Sequence, residues 1–248
     1  MSLEDKLRGA LERNPHLRKY LERWAAQGNP PPTFYEQLSR DLKKIKDLNV
    51  LYPIGDPLFV HVYTPKDVAT GYRKYIVIEP EKPPRDVYNL VEQAFALAIT
   101  KYEIPEEVEE REKLVLKVLE EVCEVVGSPV NYSKFKLKPK RKVPVYKLYF
   151  EQLKYYFVRD KVHVGVLEPF VRDPYIEDIT CAGVGNMYIV HKIFGPLETN
   201  VEFKSEEELD LFVIRLSEYI GRPVSHARPI VDASLPDGSR LNLSLIHI

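Results

Sequence analysis

Apolar residues recur at every fourth position where the chain begins. Leu3, Leu7 and Leu11 fall on one face of a helix that Ser2 is placed to cap, and Leu17, Tyr20, Leu21 and Trp24 continue the stripe beyond Pro15. The spacing predicts a helical hairpin or short bundle. Gly28-Asn29-Pro30-Pro31-Pro32 interrupts it, because proline fixes φ and withdraws a backbone donor, and Phe34, Leu38, Leu42 and Ile45 then resume a helical face. A helical lobe over about residues 1–47 is the expectation.

From Val50 to Tyr63 the pattern changes to β-branched residues in alternation, with a turn at Tyr52-Pro53-Ile54-Gly55-Asp56-Pro57; Leu58–Val62 and Tyr75–Ile78 read as paired strands. Helical spacing returns through Val87, Leu90, Val91, Ala94, Phe95 and Ala98. It returns again from Pro105, expected at the first helical position, through Leu114, Val118, Leu119, Val122 and Val125. Glu106, Glu107, Glu109 and Glu110 suit the positive end of that second helix. Between Lys134 and Lys147 lie seven basic residues and no acidic one, with Pro139 and Pro144 limiting regular structure, and the domain boundary is expected there, at 143/144.

Beyond it, Tyr146, Tyr149, Leu153, Tyr156 and Phe157 form a helical stripe. Ile176–Thr180, Met187–Phe194 and Thr199–Phe203 read as strands. Ser205 and Glu208 make a capping box for a helix that Gly221 stops, and Pro236-Asp237-Gly238 is a turn before a returning strand from Arg240 to Leu245. The fold class expected is α+β: residues 1–143 form a helical lobe with a small α/β unit, and residues 144–248 a second compact α/β domain with an antiparallel sheet.

Composition narrows the functional classes. The 248 residues are 44% hydrophobic with a formal net charge of -1, so no global field draws the chain to nucleic acid or acidic lipid, and any such binding must be local. There is no apolar signal core and no run of the roughly 18–20 apolar residues that a membrane-crossing helix needs, which points to the cytoplasm. Cys123 and Cys181 are far apart in sequence and read as small buried hydrophobes. The 29% of charged residues and 20 prolines against 11 glycines lean towards a thermophilic source.

Few residues argue for chemistry. Asp173, Glu177 and Asp178 place three carboxylates within six residues, but Asp173 precedes a proline as turn openers do, while Glu177 and Asp178 point to opposite faces of a strand. The six histidines lack metal-ligand spacing, and Gly183-Val184-Gly185 lacks the third glycine of a dinucleotide fingerprint and reads as a hairpin turn. No catalytic residue, metal site or cofactor is expected in this chain. Lys134, Lys136, Lys138, Lys140, Arg141 and Lys142, interleaved with Tyr132 and Phe135, have three readings: a solvated linker, a contact to an anionic membrane or membrane protein, or a nucleic-acid grip. Leu3, Leu7, Leu11 and Trp24 have two, interior packing or an apolar face offered to a partner.

Three phrases carry a family resemblance. They are Asp173-Pro174-Tyr175-Ile176-Glu177-Asp178-Ile179, Gly195-Pro196-Leu197-Glu198-Thr199-Asn200, and Arg228-Pro229-Ile230-Val231-Asp232-Ala233-Ser234-Leu235-Pro236-Asp237-Gly238-Ser239-Arg240. In this order the chain resembles the region ahead of the RecA-like motor domain in the type II secretion and type IV pilus ATPase superfamily, above all its archaeal branch with the archaellum motors. The resemblance is strong over Phe157–Leu245, thinner over Leu48–Pro80, and absent from the first 45 residues. No Gly-x-x-x-x-Gly-Lys-Ser/Thr loop occurs, and after Ser244, where the family continues towards it, the chain reads Leu245-Ile246-His247-Ile248.

The resemblance implies a regulatory, oligomerisation and docking region that precedes the motor of a homo-hexamer. ATP and Mg²⁺ would belong to the parent protein, and a membrane platform protein would be the partner at the inner face of the cell membrane. It further implies that arginines here approach the nucleotide of a neighbouring motor domain, for which Arg228, Arg240 and Arg222 are the candidates, against a structural role beside Asp232 or Asp237. The alternative is a stand-alone module that grips nucleic acid or an anionic surface through residues 134–147. Nucleic acid is otherwise not expected as a partner.

Overall fold

The computed structural model describes residues 3–66, 71–132, 135, 137–138, 141–225, 227–235 and 238–244. The chain order is α1 (Leu3–Arg13), α2 (Pro15–Ala26), β1 (Thr33–Phe34), a 3-10 turn (Arg40–Lys44), β2 (Asn49–Pro53), β3 (Phe59–Tyr63), β4 (Arg73–Ile78), α3 (Arg85–Ile99), α4 (Val108–Val122) and β5 (Cys123–Val126). There follow β6 (Val143–Tyr146), α5 (Lys147–Lys161), α6 (Glu168–Arg172), β7 (Ile176–Thr180), β8 (Gly185–His191), β9 (Gly195–Phe203), α7 (Glu206–Tyr219), β10 (Ile230–Ser234) and β11 (Arg240–Ser244). The protein is mixed α/β.

The chain divides into two compact units that are not the two halves of the sequence: residues 1–79 with 169–248, and residues 80–168. The first unit holds a seven-stranded sheet in the order β1-β2-β3-β4-β9-β8-β7. A division at 143/144 would pass through this unit, since β4 and β9, from opposite sides of that boundary, run parallel with Arg73 opposite Leu197 and Tyr75 opposite Thr199. Asn200 extends the seam: its Oδ1 accepts from Val77 N at 2.8 Å and its Nδ2 donates to Val77 O at 3.1 Å. The Lys74 ammonium meets Glu198 at 2.6 Å and, through that hydrogen bond above all, holds the carboxyl below its usual range. Asn200→Ala would strand two backbone groups at the seam and is expected to cost about 1–3 kcal/mol in a denaturant titration of this unit.

Period-2 alternation puts Leu51, Phe59 and Ile78 on one face of the sheet with Ala10, Leu17 and Phe34, and Leu7, Leu11, Tyr20 and Leu21 are packed against them. The opposite face carries Val50, Tyr52, Val60, Val62, Tyr75 and Val77, all buried. Both faces are covered, so the strands read as nearly continuous apolar runs. The third helical face expected at 34–45 is instead a two-residue strand and a 3-10 turn, with Leu38 and Leu42 buried. Tyr35 N spends its hydrogen on Leu51 O at 2.8 Å, which ties this segment to the sheet edge.

In the second unit α3, α4 and α5 enclose Val91, Phe95, Val118, Leu119, Leu153 and Phe157, with Phe157 centred 5.1 Å from Phe95 and 5.4 Å from Tyr88. The helix expected from Pro105 begins at Val108, and its expected last turn is β5, which pairs in parallel with β6 from inside the basic segment. The β-branched Val125 and Val126 favour that pairing once Val143 and Val145 lie alongside.

Candidate functional site

Ser205 caps α7, accepting from Glu208 N at 3.2 Å, while Glu208 Oε2 accepts from Lys204 N at 2.9 Å. At the other end of the helix, buried Ser217 anchors the exit loop. Its Oγ accepts from Val224 N at 3.1 Å and its carbonyl from Arg222 N at 2.9 Å. Ser225 and Arg228 then exchange backbone hydrogen bonds at 2.9 and 3.0 Å and launch the β10–β11 hairpin. Leu243 is buried, whereas Ile230, Asp232, Ser234, Arg240, Asn242 and Ser244 are exposed.

Arg222, Arg228 and Arg240 are all exposed, and no described residue forms an ion pair with any of them. The structural partner considered for them is otherwise engaged, since Asp232 accepts from Asn242 Nδ2 at 2.7 Å across the ladder; Asp237 lies outside the described residues. Arg222 and Arg228 share the exit loop. Arg240 faces Ser234 at the turn end of the hairpin, four residues of β10 and about 13 Å from Ile230. In the backbone, Arg222 and Arg228 therefore lie at the exit-loop end of the hairpin and Arg240 at its turn end.

The basic segment builds a different feature. A cavity of about 480 Å³ opens on the second unit between the C-terminal turns of α3 and α4 and residues Leu137, Lys138, Arg141 and Lys142, with Leu97 and Val122 on its apolar wall. Lys101, Lys138, Arg141 and Lys142 surround it, with Glu121 the one acidic residue among the described residues that line it. Lys142 Nζ donates to Glu120 O at 2.8 Å, a cation closing the negative end of α4. The Arg141 guanidinium lies 4.5 Å from the Phe135 ring centre. Lys134, Lys136 and Lys140 lie outside the described residues.

The Asp173 phrase is more than a turn opener. Asp173 is buried, with Oδ2 accepting from the hydroxyls of Tyr52 and Tyr75 at 2.7 Å each and Oδ1 accepting from Tyr175 N at 2.9 Å. Burial raises its pKa above the ordinary carboxyl value against the pull of these hydrogen bonds, and raises both tyrosines well above theirs. His191, buried beside them, accepts at Nδ1 from Ile193 N and Phe194 N at 3.1 and 3.3 Å, so its proton sits on Nε2, 3.3 Å from the Tyr52 oxygen. Burial first, then Lys192, pushes the His191 pKa down to about 3. No sequence spacing announces this group, whose members come from β2, β4, β8 and the loop after α6. Among the described residues no cluster of histidine, cysteine and carboxylate is placed to hold a metal.

On the helical lobe, Leu7 and Leu11 are partly buried against the core of the sheet, and the Leu3 side chain lies outside the described residues. The Trp24 ring sits 4.6 Å from His61 and 4.8 Å from Tyr63, with its N–H donating to Pro30 O at 2.7 Å. His61 accepts from the Tyr20 hydroxyl at Nδ1 and donates from Nε2 to Asn49, both at 2.7 Å, and burial lowers its pKa to about 4. Leu7, Leu11 and Trp24 are half-buried: each packs on this unit and keeps part of its surface exposed. Gly183-Val184-Gly185 is the turn between antiparallel β7 and β8, as expected. Cys123 is buried, its thiol pushed up to about 12 by desolvation, but Cys181 is exposed, contrary to expectation, because it follows the edge strand β7. No helix among the described residues is long and apolar enough to cross a membrane.

No family model matches the chain. The uncharacterized protein MJ0900 of the archaeon Methanocaldococcus jannaschii is 38% identical over 246 residues, covering 97% of this chain, and the chain spans 44% of that relative's length. The uncharacterized protein MJ1288 of the same organism is 33% identical over 199 residues, 72% of this chain and 69% of the relative. A third, the uncharacterized protein MJ0781, matches 101 residues at 28% identity, 14% of its own length. With an identity of 33% extending over two thirds of MJ1288, this chain belongs to the protein family of that archaeal relative.

Proposed function

We propose that this chain is the N-terminal regulatory, oligomerisation and partner-docking region of a hexameric ATPase that drives secretion, pilus assembly or archaellum rotation. It works in the cytoplasm at the inner face of the membrane, where a platform protein is its partner. The lobe built from α7 and the β10–β11 hairpin precedes the motor domain and presents arginines to the nucleotide of a neighbouring subunit. One observation carries this reading: Arg222, Arg228 and Arg240 stand exposed, without an ion pair to any described residue, around a hairpin whose acidic neighbour Asp232 accepts from Asn242. Guanidinium forks left exposed at no evident structural gain suit bidentate binding of phosphate oxygens. The order of the three sequence phrases supports the family assignment, and the greater length of MJ0900 leaves room for a motor domain in such a parent.

By itself the chain has no phosphate loop, hence neither the lysine nor the Mg²⁺-binding hydroxyl on which phosphoryl transfer depends. The isolated chain is expected to release no phosphate from MgATP above the buffer rate. Within the motor-bearing parent, Arg228→Ala and Arg240→Ala, both at exposed positions, are expected to lower kcat on the order of 100-fold without moving the melting temperature. Because the two arginines occupy opposite ends of the hairpin, the end that faces the nucleotide is expected to show the larger loss. Unchanged turnover in both variants would refute nucleotide sensing, and unchanged turnover with loss of the hexamer in sedimentation would assign the lobe to assembly alone.

A further inference from the structure

We infer that the cavity beside α3 and α4 is a docking site for an acidic peptide segment of a protein partner, anchored by an aliphatic side chain. The inference stands on the second unit alone and does not depend on the motor-ATPase reading. Its floor is apolar where a solvated charged face would not be: Leu97 is 68% exposed at the cavity wall, and Val122 lies beside it. A cavity of about 480 Å³ is large enough to take a leucine or isoleucine with flanking backbone.

Its rim is cationic and partly preorganised. Lys142 is committed to the end of α4. Lys101, Lys138 and Arg141, in contrast, form no ion pair with a described residue, and the contact with Phe135 holds the Arg141 fork in place, which suits it to a carboxylate. Three available cations around an aliphatic floor match a short segment in which carboxylates flank an apolar residue.

The same geometry disfavours a polyphosphate chain. Phe135 is covered by Arg141, and Tyr102 donates its hydroxyl to Glu121 beneath Lys117, so neither ring is open for base stacking. Glu121 stands in the wall, a like charge that separate carboxylates on a peptide can keep away from while the peptide's apolar residue lies on the floor, and that a continuous row of phosphates cannot avoid. A lipid surface is flat and would leave the concave apolar floor unfilled.

The probe is a short fluorescein-labelled peptide with two central leucines between glutamates, followed by fluorescence anisotropy with the full chain. Saturable binding is expected, weakening as salt is raised. Leu97→Ser, at an exposed position, and the double change Lys101→Glu with Arg141→Glu are each expected to weaken it about tenfold, as is replacing the peptide's leucines by serine. Circular dichroism melts of the variants should match the parent, because none of the altered side chains is buried. Absence of binding by this peptide would overturn the inference. So would binding that ignores Leu97, or tighter binding of a single-stranded oligonucleotide or of phosphatidylglycerol vesicles.

Discussion

Asp173→Ala is expected to unfold the first unit at markedly lower denaturant, a loss of about 3–5 kcal/mol. The substitution removes one carboxylate and strands several partners at once: the hydroxyls of Tyr52 and Tyr75, both almost fully buried, and the amide of Tyr175. Unpaired buried donors pay their desolvation in full, whereas the hydrogen bonds they made contribute much less singly. Asp173→Asn keeps one acceptor oxygen, which can serve either the two tyrosine hydroxyls or the Tyr175 amide, and should cost less than the alanine change, about 1–3 kcal/mol. The chain's single tryptophan, Trp24, packs on the sheet of the same unit, so its fluorescence isolates this transition from that of residues 80–168. Equal midpoints for Asp173→Ala and the parent would show that the network contributes nothing to stability. The effect matters for function because the network joins β2, β4 and β8, and so holds together the sheet that unites the two sequence segments of this unit.

Acidification is the second large effect. The folded-state pKa values of His61 and His191 lie near 4 and 3, against 6.5 for the free side chain, so the unfolded chain takes up protons that the folded chain refuses. Both histidines contribute full stability above pH 6.5. As pH falls, the His61 contribution is lost down to about pH 4 and that of His191 down to about pH 3, each amounting to about 3–5 kcal/mol over its whole window. Asp173 acts with the opposite sign: its raised pKa means that the folded state gains a proton before the unfolded one, which relieves a burial cost as pH falls through the folded value. Two histidines outweigh one carboxyl, so the Trp24 midpoint should drop steeply between pH 6.5 and 4. His61→Gln and His191→Gln should each be less stable at pH 7 and show a shallower acid slope. A flat profile for the parent would mean that neither ring is buried neutral in solution.

How much of this was legible in the sequence differs by element. Period-4 and period-2 spacing located α1, α2, α3, β3, β4 and the β7–β8 hairpin, because each buries a face against whatever lies opposite and the pattern need not know what that is. Ser205 with Glu208 marked the start of α7 for the same local reason. The arginines around β10 and β11 were found through the wording of a motif, and their exposure followed from their hairpin positions.

Local pattern determined most of the elements, the mixture of helix and strand, the charge of the 134–147 segment and the lack of a phosphate loop, since each depends on residues within a few positions of one another. Only the tertiary structure decided that β4 joins β9, that Asp173 serves two tyrosines from distant strands, that Cys123–Val126 leaves the helical pattern for a parallel partner, and that the basic segment borders an apolar cavity. Strand partners and buried polar groups are selected by pairing across gaps that run from 20 residues, Cys123 to Val143, to 124, Arg73 to Leu197, where the backbone groups and hydroxyls have many equivalent suitors. Which one wins depends on the free energy of the whole packed arrangement, and no stretch of sequence carries that by itself.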